Sequence, residues 1–192
     1  MKGTYVGVLR SQRRRVAGPG FVVRHAAMQR PAARPLRDAL GLLTSTDDQI
    51  SLEAFERALE SLFRSDGDAL AIIEHAITRD PAFAGGHCLR AVALIIGGTE
   101  ASAPAVAASI AAVEGGASAN ERERRHAIAA RLWVDGKVAR AARAYDALAY
   151  DYPRDRLALL AAQALDFRLR RSARMQQLLQ ALRDDARDAA GR

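Results

Sequence analysis

The residues best suited to chemistry are four histidines (His25, His75, His87 and His126) and one cysteine, Cys88. His87-Cys88 is the only adjacent His/Cys pair. A metal site there needs at least two more ligands converging from elsewhere, and His75 is the neighbour across a helix pair. A Cys88 nucleophile would need His75 or His126 within hydrogen-bond reach, and no motif sets that geometry. A buried free cysteine otherwise behaves as a small hydrophobe. One cysteine also excludes an internal disulfide framework and a multi-cysteine zinc site. The acidic pairs Asp47-Asp48, Glu121/Glu123 and Asp184-Asp185 fall near helix ends or on polar faces, where the helix dipole and solvation account for them. Gly85-Gly86, Gly97-Gly98 and Gly115-Gly116 are followed by no phosphate-loop pattern and read as helix-packing and helix-stop glycines. The expectation is a non-enzymatic chain with no metal and no cofactor.

Trp133 and Phe167 are 34 residues apart, and so are Ala130 and Ala164. This spacing sets Trp133, Phe167, His126 and Ala130 as groove candidates on matching first helices of adjacent helix pairs. Exposed together, the two aromatic rings would form an apolar ladder for a peptide. The competing reading, and the favoured one, is core packing between pairs.

Charge is uneven. Residues 1–37 hold nine basic residues and no acid, and the other 155 hold 20 basic and 22 acidic. The net charge of +7 therefore belongs to a basic extension, residues 1–34, ahead of a nearly neutral body, residues 35–192. Arg13, Arg14 and Arg15 could attract phosphate through a largely sequence-independent force, which makes nucleic acid or an anionic surface the alternative partner. Against this, arginine outnumbers lysine 27 to 2 throughout the chain, so the Arg-rich extension reads first as a solvated tail or an upstream start. Beginning at Met28 would remove six basic residues. The apolar stretch at Phe21-Val22-Val23 is too short for a secretory signal. No apolar run approaches the roughly 18 residues that cross a bilayer, and the expected location is the cytoplasm.

The elements follow from punctuation. Thr46-x-x-Gln49 predicts a capping box ahead of a helix with Leu52, Phe55, Leu59, Leu62 and Phe63 on one face. Asp66 can cap a second helix carrying Leu70, Ile73, Ala76 and Ile77, stopped by Asp80-Pro81. A third carries Leu89, Val92, Ala93 and Ile96 to Gly97-Gly98. Pro104 opens a fourth, ending at Gly115-Gly116. Ser118-x-x-Glu121 or Asn120-x-x-Glu123 opens a fifth, ending at Asp135-Gly136. A sixth runs from Lys137 to about Asp151. Asp155 starts a seventh with Leu157, Leu160, Ala164 and Phe167, breaking near Arg171-Ser172. An eighth carries Met175, Leu178, Leu179 and Leu182. No stretch after residue 44 alternates with period two. The fold class expected is all-α, with short links that favour antiparallel neighbours.

The repeat is sharper still. In residues 122–155, small Ala129, the turn Gly136-Lys137, small Ala141, bulky Tyr145 and Pro153 together resemble the tetratricopeptide repeat; Leu148 departs from it at the late small position. Residues 50–83 match through Ala69, Ala76 and Pro81. More particularly, Pro35-Leu-Arg-Asp-Ala-Leu-Gly41, Asp80-Pro-Ala-Phe-x-x-x-His87, Ala119-Asn-Glu-Arg-Glu-Arg124 and Tyr152-Pro-Arg-Asp-x-Leu-Ala-Leu159 look like the tetratricopeptide repeat protein 38 family. That family is longer, and residues 169–192 depart from its pattern. The resemblance implies a right-handed α-solenoid of about four antiparallel helix pairs and a protein or peptide partner, with no catalytic residues to carry over. It also implies no terminal-carboxylate clamp, because Ala130 and Ala164 stand where that clamp uses Asn. A scaffold that binds proteins is the function expected, with self-association through the C-terminal helix as a further route.

Overall fold

Four of the described helix starts are set by a carboxylate or side-chain amide that reaches the free N–H groups of the first turn. In the computed structural model, which describes residues 34–170 and residue 173, Asp48 caps α1 (Gln49–Arg64), accepting from the amide and hydroxyl of Ser51. The box expected between Thr46 and Gln49 does not form. The Thr46 hydroxyl donates instead to Asp80 at 2.6 Å and accepts from the Asp48 amide. Asp68, not Asp66, caps α2 (Ala69–Arg79). The expected stop at Asp80-Pro81 holds.

α3 (Ala84–Gly97) has no cap of its own and ends at Gly98, whose φ of +67° suits glycine. A short 3-10 turn (Glu100–Ser102) leads to α4 (Ala103–Gly115), with Pro104 in its first turn. Asn120 and Glu123 form the reciprocal capping box of α5 (Glu121–Val134). α6 (Val138–Asp151) follows the Asp135-Gly136 turn. Asp155 caps the last described helix, α7, over 156–170, by accepting from the Ala158 amide. The break expected at Arg171-Ser172, the eighth helix and the basic triplet Arg13–Arg15 lie outside the described residues.

The described residues are therefore all-α, with one isolated bridge pairing Arg37 and Leu43. Successive helices pack as α1 on α2, α3 on α4 and α5 on α6, while α2·α3 and α4·α5 join one pair to the next. α3 also touches α1 and α5, so it lies at the centre of the core and buries Cys88, Leu89, Ala91, Val92 and Ala93. Alanine at 54, 58, 76, 129, 141, 158 and 161 is almost fully buried. These small side chains let helix axes approach, and Phe83, Tyr145 and the aliphatic residues fill what remains. On α7 the buried set is Leu157, Ala158, Ala161 and Leu165. Of the expected stripe, Leu157 is buried, Ala164 packs against the core and Leu160 is half-buried, whereas Phe167 is exposed; Ala158, Ala161 and Leu165 complete the buried face. No described helix is long and apolar enough to cross a membrane.

Gly85 marks a close approach of α3 to neighbouring side chains. A Cβ there would lie 2.8 Å from the Phe83 ring and 3.0 Å from a Glu123 carboxylate oxygen. Phe83 is fully buried and cannot withdraw. Gly85→Ala should therefore destabilise the fold by about 1–3 kcal/mol. Gly97→Ala, where a Cβ meets nothing within 4 Å, should be neutral or stabilising by up to about 1 kcal/mol. Urea denaturation of both variants checks this; equal effects would discard the close-approach account.

Candidate functional site

The segment before α1 is a polar strap. Leu36 and Thr46 bond across its base, and Asp38 accepts from the Leu40 and Leu42 amides. The Leu43 carbonyl accepts from Asn120 and from Arg122 Nη2 at 3.1 and 3.0 Å. Ser45 gives its amide and its hydroxyl to Glu123 Oε1, each at 3.0 Å. The same hydroxyl oxygen accepts from the Ala84 amide at 2.8 Å. Ser45 thus caps α3 from 39 residues away, supplying what Phe83 at the cap position lacks.

Under the strap lies a buried charge network. Asp155 Oδ2 accepts from Arg122 Nη1 at 2.8 Å and bonds His126 Nε2 at 2.9 Å, while Oδ1 caps α7. Arg122, Glu123, His126 and Asp155 are all buried. Burial alone would raise the Asp155 carboxyl. The attraction to His126 and its hydrogen bond, followed by those of Arg122, outweigh that and hold it well below the usual carboxylate range. Glu123 goes the other way: burial raises it, against the opposing bonds from Asn120 and Ser45. The Cys88 thiol is pushed well up, first by burial and then by the Glu123 charge, so the thiolate that attacks or ligates is disfavoured. The Tyr145 hydroxyl is also pushed well up by burial.

A cleft of about 610 Å³ opens above this network, within the size range of ligand sites. One side is α1, with Glu53, Glu56, Arg57 and Glu60. Arg154 and Arg156 at the start of α7 contribute further lining, and Arg122 and Asp155 line it from below. Glu60 and Arg156 bond at 2.8 Å, and the Arg156 guanidinium stacks on Phe63 at 4.5 Å. The strap enters the lining through Asp38, Ala39 and Leu40, and its Ala39 amide donates to Glu56 at 2.6 Å.

The structure does not bring the four groove candidates onto one surface. Trp133 is 5% exposed and edge-on to Tyr145 at 6.2 Å, whereas Phe167 is 67% exposed. Trp133 therefore follows the packing reading, and the two rings form no shared ladder. His126 and Ala130 are buried. His126 holds Asp155 and packs on Tyr145 at 5.7 Å. His75 is exposed, and His87 Nε2 bonds the Pro81 carbonyl. Among the described residues no group of three or more His, Cys, Asp or Glu could hold a metal. Asp48 is committed to Ser51 and to Arg79 at 2.7 Å.

Six of the lining residues, Asp38, Ala39, Leu40, Arg122, Arg154 and Asp155, fall within the segments that carry the family resemblance, but no motif signalled that they would meet in a cleft. Arg57, Arg122, Arg154 and Arg156 are a few among many arginines, and their convergence depends on contacts as distant as 96 residues. No protein-family model, curated protein or solved structure matches this chain.

Because the folded Asp155 carboxyl lies below its unfolded value, it contributes stability above roughly pH 4 and loses that contribution as the pH falls. Asp155→Asn should therefore cost on the order of 3 kcal/mol at pH 7 and distinctly less at pH 3. Denaturant melts at the two pH values test this. The same difference at both would show that the charge of Asp155 is not what matters.

Proposed function

We propose that this chain is a tetratricopeptide-like helical-repeat module, without catalytic activity, that binds a protein partner in the cytoplasm. The cleft between α1 and the start of α7 is its recognition site. That cleft is the single observation that carries the reading. It is open to solvent, half apolar through Leu40, Phe55 and Leu59, and stands on a floor where Arg122 is already bonded to Asp155 and to the Leu43 carbonyl. Binding into such a site costs little reorganisation.

Further support comes from packing. Ala129, Ala141 and Tyr145, the small and bulky positions of the repeat pattern, are each buried to within 1% of completeness. Pairs stack on sequential neighbours, as helical-repeat arrays do. The non-catalytic reading rests on the use made of the reactive groups: Asp155 is a cap and ion-pair partner, Glu123 a strap anchor, and Cys88 a buried thiol held protonated.

Site-specific photo-crosslinking tests the proposal. A benzophenone side chain replacing Leu40, at the cleft, should give discrete protein adducts in lysate of the producing cells. One replacing Tyr150, exposed on α6 and outside the cleft lining, should not. Equal adducts from both positions, or none from position 40, would remove the cleft from the function.

A further inference from the structure

Charge is distributed within the cleft in a way that selects its occupant. α1 contributes Glu53, Glu56 and Glu60 at helical spacing, with Arg57 beside them. Arg154 and Arg156 arrive from the start of α7, and Arg156 reaches α1 to pair with Glu60. Arg122 and Asp155 neutralise each other in the floor. What remains without an ion-pair partner among the described residues is Asp38, Glu53 and Glu56 on the acidic side, and Arg57 and Arg154 on the basic side. Apolar Leu40, Phe55 and Leu59 complete the lining.

A partner segment of one charge sign meets attraction from some of these groups and repulsion from others. A segment carrying both signs can satisfy both sets, and opposed like charges are strongly unfavourable at an interface. We propose that the cleft recognises a partner segment of mixed charge. A lysine or arginine faces Glu53 and Glu56, an aspartate or glutamate faces Arg154, and an apolar side chain between them reaches Leu40, Phe55 and Leu59. This rests on the reading of the cleft as a protein-binding site and names the chemistry of what enters it.

The test is selection of displayed random 12-residue peptides on the full chain at about 0.15 M salt, where long-range attraction is screened. Wild type is compared with Arg154→Glu and Glu53→Lys. Both positions are exposed, and circular dichroism checks that each variant keeps its helix content. Wild type should enrich peptides with both charge signs around an apolar residue. Arg154→Glu should lose the acidic preference and keep the basic one, and Glu53→Lys should do the reverse. A wild-type-selected peptide should bind either variant about tenfold more weakly, a difference of about 1.4 kcal/mol. Enrichment of single-sign or purely apolar peptides, or preferences that both variants leave unchanged, would overturn the mixed-charge proposal and leave a peptide-binding cleft standing. No enrichment on any form would overturn both.

Discussion

The carboxylate of Asp155 is the constraint on which the surrounding structure depends. A charge this deeply buried persists only if its oxygens are satisfied. Here one oxygen takes Arg122 and His126 from α5, and the other takes the first turn of α7. Arg122 in turn reaches the Leu43 carbonyl. The neighbouring Glu123 closes the α5 capping box and grips Ser45, which caps α3. Two adjacent residues of α5 thus orient the strap, the central helix and the last described helix. An apolar residue at position 155 would pack, but it would leave Arg122 without its counter-charge.

This arrangement also defines the cleft. Its floor consists of groups already bound to each other. The strap residues that contribute to the lining are held by Glu56 and by their own backbone bonds. Above the floor the lining carries both signs, with Glu53, Glu56 and Arg57 on α1 and Arg154 ahead of α7, and the Glu60–Arg156 pair joins the two elements.

Much of the fold was legible in the sequence because helix ends are local events. Asp80-Pro81, Gly97-Gly98, Asn120-x-x-Glu123, Asp135-Gly136 and Asp155 each act within one turn. The misread starts, Thr46 for Asp48 and Asp66 for Asp68, arose where two capping residues stood close together. Thr46 is drawn to Asp80, a contact 34 residues away. On α7 the pattern placed Leu157 and Ala164 correctly and Phe167 wrongly, because a large aromatic outweighs Ala158 and Ala161 in any hydrophobicity pattern, whereas close packing prefers the alanines. The cleft was hidden for a related reason. Its charged lining is made of arginines and glutamates on solvated-looking faces, and contacts as distant as Glu60 to Arg156 bring them together. Phe167, the most conspicuous aromatic candidate, ended on the surface outside it.

The cap that Ser45 places on α3 bears on how the helix pairs behave as units. In an array whose pairs touch only their neighbours, stability accumulates pair by pair, and pairs can fray, be removed or be duplicated one at a time. Here a single serine ahead of the first pair closes the N-terminus of the second and is held by a glutamate of the third. The first three pairs therefore share one keystone. Opening the first pair would uncap the second, and losing the third would free the serine that makes the cap, so this one contact couples the three pairs.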